Sequence, residues 1–284
     1  MTCRSIVPAA ARLEAFRRRV YTTDRLAYGE RMDLRDLDEH LRTLLRLDEY
    51  ASVDSSWNGI QIECRRKEIN RVAVAVDAAA ETAARAARWG ADLLFVHHGL
   101  FWGAGLPVTG VHYRRIREFL QNDVALYAAH LPLDAHERLG NNAVMAERLG
   151  LTALRPFGDY HGKTIGWAGE LPEAMATEDV ARALFGTTED LLGLLPFGPQ
   201  RNRSVGIVSG GAPREVEQAI ECGLDLYITG DASHTVYHHC LEAGINVLFG
   251  GHYRTETWGV ESVARHLTDE LGLETTFLDL PTGL

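Results

Sequence analysis

Asp92-Leu93-Leu94-Phe95-Val96-His97-His98-Gly99-Leu100-Phe101-Trp102 is an apolar run that ends in two adjacent imidazoles. Bounded upstream by Gly90 and a charge, it reads as a strand buried on both faces, as in a parallel sheet. The two histidines then stand at the strand's C-terminal end, where an open α/β sheet leaves a crevice for ligands. Consecutive side chains of an extended chain point to opposite sides. His97 and His98 can therefore share one metal only if the strand has broken into a loop. Otherwise each serves a different metal, or each is a hydrogen-bonded structural residue.

Around this strand the chain alternates. Strand Val72–Val76 precedes it, with an alanine-rich helix between them at Ala80–Trp89. Helix Tyr113–Asn122, strand Val124–Ala128 and helix Asn141–Leu149 follow. Such alternation implies βαβ units and a mainly parallel sheet. Residues 151–203 are richer in proline and glycine, with one strand (Thr164–Gly169) and one helix (Thr177–Phe185). They read as a connecting segment. The rhythm then resumes with strands at Val205–Ser209, Leu224–Thr229 and Ile245–Phe249, helices between them, and a last helix at Trp258–Leu271.

The resumption is an internal repeat. Val72–Asp77 superposes on Val205–Gly210, and Asp92-Leu93 on Asp225-Leu226. A gapless alignment lays Asp123–Asp134 over Ile245–Glu256, so that both copies end a strand in small-small-His-xxx-carboxylate. The expected fold is α/β: two similar βαβαβ lobes with mainly parallel sheets facing a central metal-binding cleft. The lobes span residues 32–150 and 204–284. Residues 1–31, arginine-rich and acid-poor, read as a disordered or mis-annotated N-terminal extension before the amphipathic helix that begins near Leu34.

The 284 residues carry 29 basic and 39 acidic side chains, a net charge of −10 that disfavours a nucleic-acid partner. No apolar run reaches the roughly 20 residues of a membrane span. The four cysteines are widely spaced, which points to a reducing cytoplasm and against a disulfide framework. The twelve histidines are the compositional oddity.

Two facing lobes would bring His97, His98, His130, Asp134, His252 and Glu256 to one cleft. Imidazole with carboxylate suits zinc, iron, manganese, nickel or cobalt. Six donors exceed one four-coordinate ion, whereas two divalent metal ions roughly 3.5–4 Å apart would use them, with a bridging hydroxide as nucleophile for hydrolysis.

Four motifs carry a family resemblance: His97-His98-Gly99-Leu100-Phe101-Trp102; His130-Leu131-Pro132-Leu133-Asp134 with Gly140-Asn141-Asn142; Thr229-Gly230-Asp231; and Gly251-His252-Tyr253-Arg254-Thr255-Glu256. From about Leu34 to Pro281 the chain resembles the dinuclear metal centre proteins related to NGG-one-interacting factor three. These are commonly named GTP cyclohydrolase I type 2 homologues. The resemblance implies His97, His98, Asp134, His252 and Glu256 as metal ligands, with Glu256 bridging and His130 supporting. It also implies a hexameric, toroidal homo-oligomer acting on a small molecule such as GTP. A non-catalytic reading of the same features is a metal store, chaperone or partner-binding scaffold. The family usually has glutamate at Asp231, often a second histidine at Tyr253, and commonly proline at Gly99. The shorter Asp231 puts in question a hydrogen bond that glutamate would reach.

Of the remaining polar residues, His234 and Asp231 are candidates to line the pocket. Arg254 and Lys163 are candidate phosphate contacts, and Trp57 and Trp102 could stack a base. His136 reads as a solvated loop residue, and His238-His239 as helix surface.

Overall fold

The computed structural model describes residues 32–66 and 68–284. The expected extension at 1–31 lies outside the described residues. Helix α1 (Leu34–Leu45) starts where the apolar period places it: Asp33 accepts the amides of Arg35 and Asp36 at 2.7 and 2.9 Å. Its leucines at 34, 37, 41 and 45 are buried.

The first lobe runs β1 (Gly59–Ile62), β2 (Arg71–Asp77), α2 (Ala80–Trp89), β3 (Leu93–His98), α3 (Gly110–Asn122) and β4 (Ala125–Ala128). Leu93, Leu94 and Phe95 of β3 are fully buried. Each contributes about 1.5–3 kcal/mol by that burial. Short helix α4 (Leu131–Ala135) and α5 (Asn141–Arg148) lead to β5 (Thr152–Tyr160), β6 (Lys163–Met175), α6 (Thr177–Phe185) and β7 (Gly193–Pro196). The chain continues through β8 (Asn202–Ile207), α7 (Val216–Glu221), β9 (Leu226–Thr229), α8 (Tyr237–Ala243) and β10 (Asn246–Phe249). It ends with short helix α9 (His252–Thr255), α10 (Thr257–Leu271) and β11 (Glu274–Phe277).

Two sheets result, with orders β1-β4-β3-β2-β11 and β5-β6-β8-β9-β10-β7. Strands β4, β3, β2 and β11 are parallel, as are β8, β9 and β10; β1, β6 and β7 pair antiparallel at the flanks of these parallel cores. The sheets therefore cut across the expected division of the chain. Residues 151–203 supply β5, β6 and β7 to the second sheet, and the last strand, β11, returns to the first. The glycines that made 151–203 look irregular let its strands approach closely. At Gly166 a Cβ would collide with the Ile207 carbonyl of β8. Helix α10 joins the lobes: Trp258 belongs to the second lobe's core, whereas Val260, Val263 and Leu267 belong to the first. Among the described residues no helix is long and apolar enough to cross a membrane.

The repeat is present in the backbone. Asp92 Oδ2 accepts the amides of Asn70 and Arg71 at 2.8 and 2.9 Å, and Asp225 Oδ2 accepts those of Arg203 and Ser204 at 2.7 and 2.9 Å. Each aspartate ties the start of its strand to the strand before it. Beyond this point the gapless alignment is displaced by one residue. Leu93 pairs with Ala125, but Leu226 pairs with Asn246, the partner of Val124 in that alignment. The left-handed caps that end α3 and α8, Asp123 (φ 56°) and Gly244 (φ 69°), fix the same shift. The backbone counterpart of His130 is thus Gly251. His130 caps α4, whereas His252 is the first residue of α9. The shared His-xxx-carboxylate spacing aligned side chains that occupy different backbone positions.

Candidate metal centre

The loops after β3, β4, β8, β9 and β10 converge, and their polar side chains form one buried cluster. His97 arrives from β3, completely buried, with its Nδ1–H donating to the Ala129 carbonyl at 3.0 Å. This bond turns Nε2 toward Asp134 Oδ2 and Glu256 Oε1, each 3.4 Å away. His98, the next residue, donates from Nδ1 to Asp77 Oδ1 at 2.9 Å and aims Nε2 at Glu256 Oε2 at 3.2 Å. His252 repeats the arrangement from the second lobe, with Nδ1 to Asp231 Oδ1 at 3.0 Å and Nε2 to Glu256 Oε2 at 3.3 Å. Asp231 therefore reaches the imidazole despite being shorter than glutamate.

Asp134 is held by one oxygen and offers the other. Its Oδ1 accepts from Asn141 Nδ2 and Ser209 Oγ, both at 2.9 Å, which leaves Oδ2 for His97. Ser209 belongs to the second lobe, so this carboxylate is set from across the cleft. Glu256 is only 2% exposed. Its room comes from Gly210, where a Cβ would collide with Glu256 Oε1 and where φ is +64°.

His97 with Asp134 and Glu256 forms one group whose ligand atoms could hold an ion; His98 with His252 and Glu256 forms a second. Glu256 gives one oxygen to each. Donors about 2.0–2.2 Å from a shared tetrahedral ion would lie roughly 3.4 Å apart, and the measured separations of 3.2–3.4 Å match that spacing. His97 Nε2 and Glu256 Oε2 are buried without a hydrogen-bond partner, an unfavourable state that an ion would relieve. The residues fit the binding of a metal ion.

The electrostatics agree. For His97, His252, Glu256 and Asp134 burial opposes the charged form, and the neighbours override it. His97 is held well above 6.5 by Asp134 and Glu256, and His252 rises to about 9 beside Glu256 and Asp231. Glu256 is held well below the usual carboxylate range by His98 and His97, and Asp134 is lowered by His97. The cluster is built to surround positive charge.

His130 completes the rim. Its ring packs 5.1 Å from His97 and 5.7 Å from His98, and the three histidines form a third group with ligand-competent spacing. Its Nδ1–H donates to Asp54 Oδ1 at 2.9 Å. Asp54 was not singled out by the sequence. Nearly inaccessible, it also accepts from Ser56 N, Asn58 Nδ2 and Leu131 N at 2.8–3.0 Å. Asp77 and Ser209 were also missed as site residues; the only signal was their place at the C-terminal ends of parallel strands.

Other candidates lie elsewhere. His234 is exposed on a 3-10 turn and belongs to none of the ligand-competent groups. Arg254 is tied to the carbonyls of Asp190 and Phe185 at 3.0 and 3.2 Å, and Lys163 lies over the Tyr50 ring at 5.5 Å. Trp102 packs edge-on to His130 at 4.9 Å, whereas Trp57 stacks on Phe101 at 5.6 Å. His136 is buried, not solvated: Nε2–H donates to the Leu44 carbonyl at 3.1 Å, and Nδ1 accepts the amides of Arg138 and Leu139 at 3.2 and 3.0 Å. Its side chain satisfies a tight turn that sequence pattern does not reveal.

Residues 32–282 match the profile of the family described as Duf34/NIF3 (NGG1p interacting factor 3). A Treponema pallidum protein named GTP cyclohydrolase 1 type 2 homolog is 42% identical, over 89% of this chain and all of that one. A Deinococcus radiodurans protein of the same name is 45% identical, over 87% and 94%. Among solved structures, TTHA1606 from Thermus thermophilus is 38% identical with a TM-score of 0.81, covering 89% of this chain and all of its own. The protein ybgI, described as of unknown function, is 30% identical with the same TM-score and coverage.

Proposed function

The chain belongs to the Duf34/NIF3 family, and we propose that it is a hydrolase holding two divalent metal ions, with a GTP cyclohydrolase I type 2-like reaction as the first substrate to test. One observation carries this reading: Glu256 divides its two oxygens between two donor groups, with buried ligand atoms that have no other partner. The ligands would be His97, Asp134 and Glu256 for one ion and His98, His252 and Glu256 for the other. Bound there, the ions would supply Lewis acidity and ionise water near neutral pH. The chain's own part is placement. Ala129, Asp77 and Asp231 fix the three ligand imidazoles with Nε2 inward. His130, oriented by Asp54 through its Nδ1–H, faces the same space and offers Nε2 as a hydrogen-bond acceptor.

The relatives' name supports GTP as substrate, and the test is direct. Purified protein should contain two ions per chain by elemental analysis, and should convert GTP with release of formate, followed by mass spectrometry. Product no greater than that of a Glu256→Ala control would sink the GTP reading. Weak or readily exchanged metal, with no turnover across nucleotides, phosphoesters and cyclic amidines, would favour a metal store, chaperone or scaffold. The proposal includes self-association as a hexamer in the cytoplasm. Exposed apolar side chains on and near α3, including Leu106, Val108, Val111 and Leu120, support a subunit contact. Sedimentation giving a monomer at micromolar concentration would remove that part.

A further inference from the structure

Behind His98, on the side away from Glu256, lies a cavity of about 420 Å³. Its position follows from topology. From β2 the chain moves outward through β3 and β4, and β11 then enters on the other side of β2. Helices α2 and α3 cover one face of this sheet, and α10 covers the other. The C-terminal ends of β2 and β11 therefore flank a switch point, the crevice where open α/β sheets bind ligands. Residues 75–79, at the end of β2 and just past it, line one side, and Leu278, Leu280 and Thr282 after β11 line the other.

The second wall is pinned in place. Tyr253 Oη donates to Asp279 Oδ1 and accepts the Leu280 amide, both at 2.8 Å, while the Leu278 amide reaches the Val74 carbonyl at 2.8 Å. Tyr253 lines the cavity itself and is adjacent to His252. Tyr253 is thus the post that holds the tail.

The charged groups lining it are Asp77 and Arg115, with Thr82, His98, Tyr253 and Thr282 as the other polar residues. Asp77 already accepts from His98. Arg115 of α3 also lines the cavity; it is exposed, and its side chain makes no hydrogen bond or ion pair among the described residues. Most of the surface between is aliphatic. A volume in this range, apolar walls and a small number of placed polar groups are the ordinary make-up of a small-molecule site.

We propose that this cavity binds a small molecule with an apolar body, an oxyanion held by Arg115 and a hydrogen-bond donor directed at Asp77. Because Asp77 also orients His98, occupancy of the cavity and the affinity of the neighbouring ion are linked, and each alters the other by the same factor. That the occupant is what the metal pair acts on rests on the hydrolase reading; the occupancy itself does not.

Phenylphosphonate, whose carbon–phosphorus bond resists hydrolysis, separates the two. Titrated calorimetrically into metal-free protein, it should bind saturably and more tightly than methylphosphonate, with 4-aminophenylphosphonate tighter still. Arg115→Gln, at an exposed position, should weaken binding about tenfold or more, as expected for a lost charge-assisted hydrogen bond. Thr282→Trp, on the exposed tail, should block the cavity from its rim. Absence of saturable binding at millimolar concentration, or binding indifferent to both substitutions, would overturn the proposal. Failure of GTP turnover would leave these titrations unaltered and bears only on the hydrolase reading.

Discussion

The two lobes share their backbone and differ at their strand ends. Asp92 and Asp225 make the same pair of amide contacts, and the helices before β3 and β9 end in left-handed Gly90 and Gly223. At the C-terminal ends the likeness stops. Where β3 carries His97-His98, β9 carries Gly230-Asp231; where β2 ends in Asp77, the second copy has Gly210. The first lobe thus supplies His97, His98 and Asp134, and the second supplies Glu256, His252 and the space around them. The repeat preserved what holds the chain and diverged at the candidate metal centre.

The sharpest way to break that division is to remove the residue both groups share. Glu256→Ala should abolish both ions, whereas Asp134→Ala should cost mainly the one held with His97. Outer contacts to metal ligands are worth about 10–100-fold in affinity, so loss of the shared ligand should exceed about a hundredfold for each ion. Elemental analysis after dialysis reads this directly. Retention of one ion by Glu256→Ala would mean that the two groups do not depend on a common carboxylate.

A second difference is acid sensitivity. His136 is buried in the first lobe and its pKa falls to about 4 because burial disfavours its charged form; at the corresponding backbone position the second lobe has Thr257. The sign follows from linkage. With a folded pKa below the unfolded value of about 6.5, His136 contributes stability that is fully present above 6.5 and lost as pH falls toward 4. The swing is roughly 3 kcal/mol at most. His40 and His266, joined through their Nε2 atoms at 2.8 Å, are lowered mainly by burial and act in the same direction. Melting of metal-free protein should show a decline between pH 6.5 and 4 that His136→Gln makes shallower. An unchanged slope would place the acid sensitivity elsewhere.

The shared frame makes the next prediction. Asp92→Ala and Asp225→Ala should each lower stability by about 2 kcal/mol, the scale of charge-assisted bonds to buried amides. The first should cost slightly more, because Asp92 also pairs with Arg66 at 2.8 Å. Urea denaturation of metal-free protein measures both. A large effect from one alone would show that the repeat is no longer mechanically equivalent.

Much of this comparison is legible in the sequence. Strands β2, β3, β4, β9 and β10 read as apolar runs because each is buried on both faces, and Ala80–Trp89 reads as a helix because Gly90 stops it. The repeat brings His97, His98, His130, Asp134, His252 and Glu256 to one cleft, and the family resemblance narrows the expected ligands to the five without His130. Strands β5, β7 and β11 were not read. Their side chains are largely exposed or half-buried, so no apolar run marks them. The one-residue slip was hidden for a related reason: identical side chains suggested an alignment, whereas hydrogen bonds and helix caps set the register. Asp54 and Ser209 escaped notice because a polar residue in a loop carries no periodic signal, and their partners are distant in sequence.

The smallest expected effect tests whether the lobes do the same work from different positions. Asp77 orients His98 at 2.9 Å and Asp231 orients His252 at 3.0 Å. Asp77 ends β2, whereas Asp231, just past β9, corresponds to His98 at the end of β3, so these carboxylates are not related by the repeat. Both imidazoles nonetheless face Glu256 Oε2, at 3.2 and 3.3 Å. Asp77→Ala and Asp231→Ala should therefore weaken the same ion, each by about tenfold, and leave the ion at His97 and Asp134 in place. Asparagine at either position keeps an acceptor for the Nδ1–H but removes the charge. Restored affinity in the asparagine variants would assign the effect to ring orientation, and continued loss would assign it to charge. Chelator competition resolves the two ions if they differ in affinity. A drop confined to Asp77→Ala would show that the first lobe alone governs this ion and that Asp231 is a bystander to it.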